Sequence, residues 1–268
     1  MKVALISLEQ QWMDKDRNFS RCRELACEAV RRGCALAIYP EMTLTGYSLD
    51  IKRIAEPAEH AHTLRQLGEL AREADIELVY GACLLDQSTG HPRNTLCLAS
   101  RNGTSRLVYT KMHPFSFAGE DKVLEAGETL GYVDMPGMRL GSSICYDLRF
   151  PELYAAMAPY CHAAICIANW PASRVAHWRA LLVARAIENQ MYMIGVNRIG
   201  QDGNGLQYEK SSLIVGPDGM IIDPVYSSLE MDVYAIDAAE TMHYRESFPT
   251  IRDKRYALYQ ELFGANAC

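Results

Sequence analysis

The chain has 268 residues, 49% hydrophobic and 22% charged, a composition that excludes disordered, fibrous and membrane-embedded classes. Its length allows one large core burying about three quarters of the unfolded surface, so residues 1–268 are read as a single domain. The net charge of -6, with no basic run and no Arg/Lys stripe interleaved with aromatics, argues against nucleic acid as a partner.

From the N-terminus, Val3 to Ser7 reads as a strand, and Glu9 follows too soon for the stretch to be a signal segment. No later window offers about 18 uninterrupted apolar residues, so a cytoplasmic protein without membrane contact is expected. Asn18 is placed as the cap of a helix carrying Cys22, Leu25, Ala26, Ala29 and Val30 at i, i+3, i+4 spacing and closed by Gly33; Ala35 to Tyr39 is a buried strand. A helix over 61–74 and a strand over 77–83 repeat the pattern, then strands 94–100 and 106–109 form a hairpin about Asn102-Gly103. Strands follow at 138–144 and 163–168, flanking a helix after Pro151, and then an amphipathic helix at 175–190. A hairpin joins 211–215 to 220–222 through Pro217-Asp218-Gly219, and the last strand is 231–236. Helices alternating with strands and hairpins predict an α/β protein with layers over mixed sheets. The tail, 241–268, carries Tyr244, Phe248, Tyr256, Tyr259 and Phe263, and is expected to pack on its own domain or on a second copy.

Nine cysteines are scattered singly, at 22, 27, 34, 83, 97, 145, 161, 166 and 268, with Cys22 and Cys27 placed on one helical face. No CxxC pair and no neighbouring His or Cys cluster completes a zinc site, so most are expected as buried small hydrophobes.

Three segments run from an apolar strand into one polar residue and then turn-forming sequence: 35–41 ending at Glu41, 106–111 ending at Lys111, and 140–145 ending at Cys145. In layered α/β folds such strand ends converge on the ligand crevice. A thiol beside a base and a cation is an activated nucleophile. Glu41 can take the thiol proton, and Lys111 with the backbone N–H of Tyr146 can hold an oxyanion, at ~3 kcal/mol per well-placed donor. Pro151 and Glu152 place a helix N-terminus just beyond that turn. Taken singly, a cysteine such as Cys145 is more often a core thiol, a glutamate such as Glu41 a plain loop carboxylate and a lysine such as Lys111 a solvated one, and composition and spacing leave this open.

Together, Tyr-Pro-Glu41-Met-Thr-Leu-Thr-Gly-Tyr47, Tyr-Thr-Lys111-Met-His113 and Ile-Cys145-Tyr-Asp-Leu-Arg-Phe-Pro-Glu152 resemble the signature segments of the nitrilase (carbon-nitrogen hydrolase) superfamily, over residues 2 to at least 237. The resemblance implies a four-layer αββα sandwich, a homodimer or higher assembly paired through outer helices, and no metal or cofactor. It implies Glu41 as general base, Lys111 as stabiliser of the tetrahedral intermediate, and Cys145 as nucleophile forming a thioester. Glu120, nine positions after the lysine, matches a fourth acidic residue that orients Lys111 or assists proton transfer, with Asp121 as its competitor.

Segments 168–174, 177–180, 184–190 and 196–200 are similar to the omega-amidase branch, whose members deaminate 2-oxoglutaramate or 2-oxosuccinamate. There Arg149 corresponds to the arginine that binds the substrate carboxylate, which suits a planar bidentate guanidinium. Pairing of Arg149 with Asp147 or Glu152 is the alternative. Arg174 is a second candidate anion contact or a rim residue. Pro114 replaces a leucine common in relatives, and Ser173-Arg174-Val175-Ala176 lacks the threonines of eukaryotic omega-amidases. The alternative functions are an N-carbamoyl acid amidohydrolase, a generic aliphatic amidase, or a non-catalytic binding protein on the same fold. The partner expected in each case is a small molecule.

Overall fold

In the computed structural model, which describes residues 1–265, three strands lie side by side in parallel: β1 (Lys2–Ile6), β2 (Leu36–Ile38) and β3 (Glu77–Leu85). Helices α1 (Lys15–Arg31) and α2 (His62–Ala74) make the crossovers that parallel strands need. Antiparallel β4 (Pro92–Ala99) and β5 (Ser105–Thr110) extend that sheet. The second sheet repeats the scheme. A hairpin of β6 (Tyr132–Met135) and β7 (Met138–Ile144) leads through α3 (Pro151–Met157) to β8 (Ala163–Ala168), and through α4 (Val175–Asn189) to β9 (Tyr192–Asn197), with β7, β8 and β9 parallel. Strands β10 (Leu213–Val215) and β11 (Ile221–Ile222) finish it. The chain then returns to the first sheet as β12 (Tyr226–Ser227) and β13 (Met231–Ala235), the latter antiparallel to β1. Helices α5 (Ala238–Ser247) and α6 (Tyr256–Ala265) end the described chain.

Period-two alternation builds the layers. Val3, Leu5, Leu36, Ile38, Val79 and Leu96 face the second sheet, while Ala4, Ile6, Ala37, Leu78, Tyr80 and Cys97 face α1 and α2. Strands β8 and β9 are buried along their whole length because α3 and α4 cover their other face, so they are runs of apolar residues without alternation. The result is the αββα sandwich that the motifs implied. No helix among the described residues is long and apolar enough to cross a membrane.

Several local expectations change. The cap of α1 is Asp14, whose carboxylate accepts the Arg17 N–H at 3.0 Å. Asn18 lies inside the helix, buried, and its amide holds the chain at Gln11 and Leu44. Gly33 does close the helix, at φ +76° with Cys34 N–H on Ala29 O, because that left-handed position suits a residue without Cβ. Cys22 is buried and Cys27 exposed, since five helical residues rotate by about 140° and cannot share a face. Cys268 and the last residues of the tail lie outside the described residues. β6, which the sequence pattern does not predict, pairs with β7 as a hairpin turning at Pro136-Gly137.

The tail divides in two. Arg245 of α5 donates to the carbonyls of Ala158, Cys161, Asn189 and Gln190 at 2.9–3.2 Å, satisfying the ends of α4 and of the segment after α3, so α5 docks on its own domain. In α6, Tyr256, Tyr259, Leu262 and Phe263 remain substantially exposed.

Candidate active site

Strands β2 and β5 point the same way, because β4 reverses the direction of β3 and β5 reverses it again. Glu41, three residues past β2, and Lys111, one past β5, therefore emerge at one edge of the first sheet. Across from them β7 runs into Cys145 and its parallel neighbour β8 into Asn169; the Cys145 Sγ lies 3.9 Å from the Asn169 carbonyl.

Glu41 and Lys111 are in contact, and Lys111 lines one pocket with Cys145. Lys111 is fully buried, with Nζ 3.2 Å from Glu41 Oε1 and 2.8 Å from Glu120 Oε2. Burial alone would lower its pKa, but the Glu41 and Glu120 carboxylates outweigh that and hold the ammonium well above its usual range. Glu120 is buried and Asp121 exposed, so of the two acidic candidates only Glu120 touches the lysine. Glu120 also accepts the Phe115 N–H at 2.6 Å and the Tyr47 hydroxyl at 3.2 Å. Glu41 accepts the Asn169 N–H at 3.0 Å on Oε2 and the Asn94 amide at 2.7 Å on Oε1. Its loop is held against β3 at Gly81, where Thr43 N–H donates to Gly81 O and Gly81 N–H to Thr43 Oγ1.

Cys145 sits at φ +48°, in the left-handed region that costs a residue with a Cβ, and opens a tight helical turn over 145–149. Asp147 imposes this elbow. Its buried carboxylate accepts the Ile144 N–H and Tyr109 hydroxyl on one oxygen, both at 2.9 Å, and lies 3.0 Å from the His113 N–H and 2.8 Å from His113 Nδ1 on the other. Tyr146 stands in the first turn of that segment, where helical N–H groups have no partner within the helix. Burial and the Glu41 charge push the Cys145 thiol up, with Lys111 opposing.

Cys145, Lys111 and Tyr146 line a pocket of about 530 Å³, walled also by Tyr47, Trp170, Arg149 and Arg174. Arg149 pairs with neither Asp147 nor Glu152: Asp147 is taken by the elbow, and Glu152 is exposed. The Arg149 guanidinium instead lies 4.9 Å over the Trp170 ring, with Nη2 3.4 Å from His177 Nδ1. Arg174 is held by its carbonyl, which accepts the Trp170 indole N–H at 2.8 Å, and neither arginine has an ion pair among the described residues. Sequence reasoning did not single out Asn94 or Asn169, nor the bracing role of Asp147. Asn94 stands between Arg93 and Thr95 in the polar half of β4, so nothing in its local sequence sets it apart.

The family model for carbon-nitrogen hydrolases matches residues 2–246. The omega-amidase YafV of Escherichia coli K12 is 33% identical over 254 residues, covering 94% of this chain and 96% of that protein. The 2-oxoglutaramate amidase of Bacillus subtilis is 30% identical over 239 residues, covering 88% and 91%. A CN-hydrolase superfamily protein of Xanthomonas campestris, with an arsenic adduct in its active site, has a TM-score of 0.85 at 27% identity, over 95% of this chain and 97% of that one.

Proposed function

The chain belongs to the carbon-nitrogen hydrolase family, and on that premise we propose that it is an omega-amidase, releasing ammonia from the terminal amide of 2-oxoglutaramate or 2-oxosuccinamate. The reading is supported above all by one observation: an ammonium buried between two carboxylates at the floor of the pocket that Cys145 lines.

In this mechanism the Cys145 sulfur attacks the amide carbon as its proton passes to Glu41. Negative charge forms on the carbonyl oxygen, which the Lys111 ammonium and Tyr146 N–H hold. The C–N bond breaks, Glu41 returns its proton to the leaving nitrogen, and ammonia departs from a thioester. Glu41 then takes a proton from water, hydroxide attacks the thioester carbon, and the acid leaves as the sulfur recovers its proton.

Hydrogen bonding supports giving the two carboxylates different work. Glu120 receives donors from four residues, Asn94, Lys111, Tyr47 and Phe115, which hold it in place to orient Lys111. Glu41 receives three, with a single donor on Oε2, which leaves that oxygen room to take the thiol proton. Arg149 and Arg174, cationic on the wall and free of ion pairs among the described residues, would receive the substrate carboxylate.

The same reading takes residues 1–268 as one catalytic domain. The exposed apolar residues of α6 favour a homodimer in which the tail meets a second copy. Eight free thiols among the described residues fit the reducing cytoplasm.

Ammonia release from 2-oxoglutaramate, compared with an uncharged alkyl amide of similar length, tests the proposal. A strong preference for the acid, abolished in a folded Cys145→Ala protein, is expected. Turnover surviving in Cys145→Ala would refute the nucleophile; equal rates on both amides would refute the anion site.

A further inference from the structure

Asn94 lies on β4 opposite Cys83 of β3 and is fully buried. Its backbone carbonyl accepts the Lys111 N–H at 2.9 Å, which fixes the root of the lysine. Its side-chain nitrogen lies 2.7 Å from Glu41 Oε1 and 3.0 Å from Glu120 Oε1. Lys111 Nζ meets those same two oxygens at 3.2 and 3.1 Å. Two carboxylate oxygens and two nitrogens therefore close a ring, with Asn94 on one side and the ammonium on the other.

The ring solves an electrostatic problem. Two buried carboxylates share a single ammonium, and like charges this close would drive one of them to take up a proton. The second negative charge must be held by neutral donors. Among the described residues Asn94 is the only neutral side chain with a hydrogen bond to both carboxylates, one N–H for each. Its own Oδ1 is buried without a hydrogen-bond partner. The opposite amide orientation would aim that oxygen at two anionic oxygens, so the network fixes the side chain nitrogen-inward.

We propose that Asn94 is a positioning residue for the amide hydrolysis: it donates to the charged form of Glu41 and holds it at a set separation from Glu120, so that Glu41 can accept the Cys145 proton. This rests on the reaction proposed above. The charged and titratable groups facing Glu41 are Lys111 from the end of β5, Glu120 from the loop beyond it, Cys145 from the elbow after β7, and Tyr47 from the loop after Glu41 itself. Asn94→Ala leaves all of these in place and removes only a donor to the charged form. The charged form of Glu41 then loses one donor on Oε1 and gains none.

The test is the pH profile of kcat/KM for ammonia release by wild type, Asn94→Ala and Asn94→Asp. In Asn94→Ala the acid limb should move upward by about one pH unit and kcat should fall on the order of 10²-fold. KM should change by about twofold or less, because Asn94 does not line the pocket. Asn94→Asp, nearly isosteric and therefore informative even if the alanine variant does not fold, adds a third carboxyl and should move the acid limb further. Acid limbs unmoved in both variants, with losses that follow only the folded fraction, would overturn the inference while leaving the amidase reading intact. A wild-type protein that releases no ammonia from any amide would sink that reading and this inference with it.

Discussion

Gly81 offers a test of how tightly the Glu41 loop is set. It lies within β3, where the strand passes beneath that loop. A Cβ built there would sit 2.4 Å from Met42 N, 2.9 Å from Glu41 Cα and 3.0 Å from Glu41 C, against an ordinary contact of 3.4 Å or more. The worst overlap is 3.4 minus 2.4, or 1.0 Å, and all three atoms are backbone, so no rotamer change relieves it. The loop must lift in Gly81→Ala, carrying Glu41 away from Asn94 and Lys111. A displacement of about 1 Å at a catalytic group costs on the order of 10²-fold in rate. Overpacking costs about 1–3 kcal/mol of stability, at roughly 2–4 °C of Tm per kcal/mol for a chain approaching this size. The control is Gly141→Ala in β7, where a Cβ would meet Met157 Sδ at 2.5 Å and Cys161 Sγ at 3.4 Å, both side-chain atoms able to move. Ammonia release per folded molecule and thermal melts should show Gly81→Ala losing activity and stability, and Gly141→Ala losing stability alone. Wild-type turnover by folded Gly81→Ala, or an equal loss in Gly141→Ala, would refute the argument.

Because burial and Glu41 raise the Cys145 thiol, the resting enzyme holds neutral thiol at pH 7; alkylation by an uncharged thiol reagent should climb with pH into the alkaline range, and a plateau below pH 7 would contradict this. Glu41→Gln removes a charge that disfavours the thiolate, so the alkylation midpoint should fall even as turnover is lost. Asp147→Asn replaces an acceptor oxygen with an NH2 group facing existing donors, costing about 1–3 kcal/mol per unsatisfied group; melts should show a lowered Tm and assays a loss of activity that exposed Asp121→Asn does not share. Arg149→Ala should lower kcat/KM for 2-oxoglutaramate by roughly 10- to 100-fold, the worth of a charge-assisted hydrogen bond, and leave a neutral amide within about threefold.

The sequence alone determined the alternation of strands and helices and the ends of strands at which Glu41, Lys111 and Cys145 stand, because side-chain periodicity and turn residues are local signals. The αββα layering came from the motif resemblance, which the packed faces of both sheets bear out. Tertiary structure decided what depends on partners distant in the chain. Asn18, a plausible cap by composition, was drawn inside α1 by backbone groups of Gln11 and Leu44, and Asp14 took its place. Arg149 was left facing the pocket because Asp147, its nearest acid in sequence, is claimed by Ile144, Tyr109 and His113. Asn94 gained its place between two carboxylates only when β4, β5 and the Glu41 loop came together. A pattern of apolar residues specifies which face of an element is buried; which polar group ends up beside which is set by the register between strands, and the local sequence does not carry it.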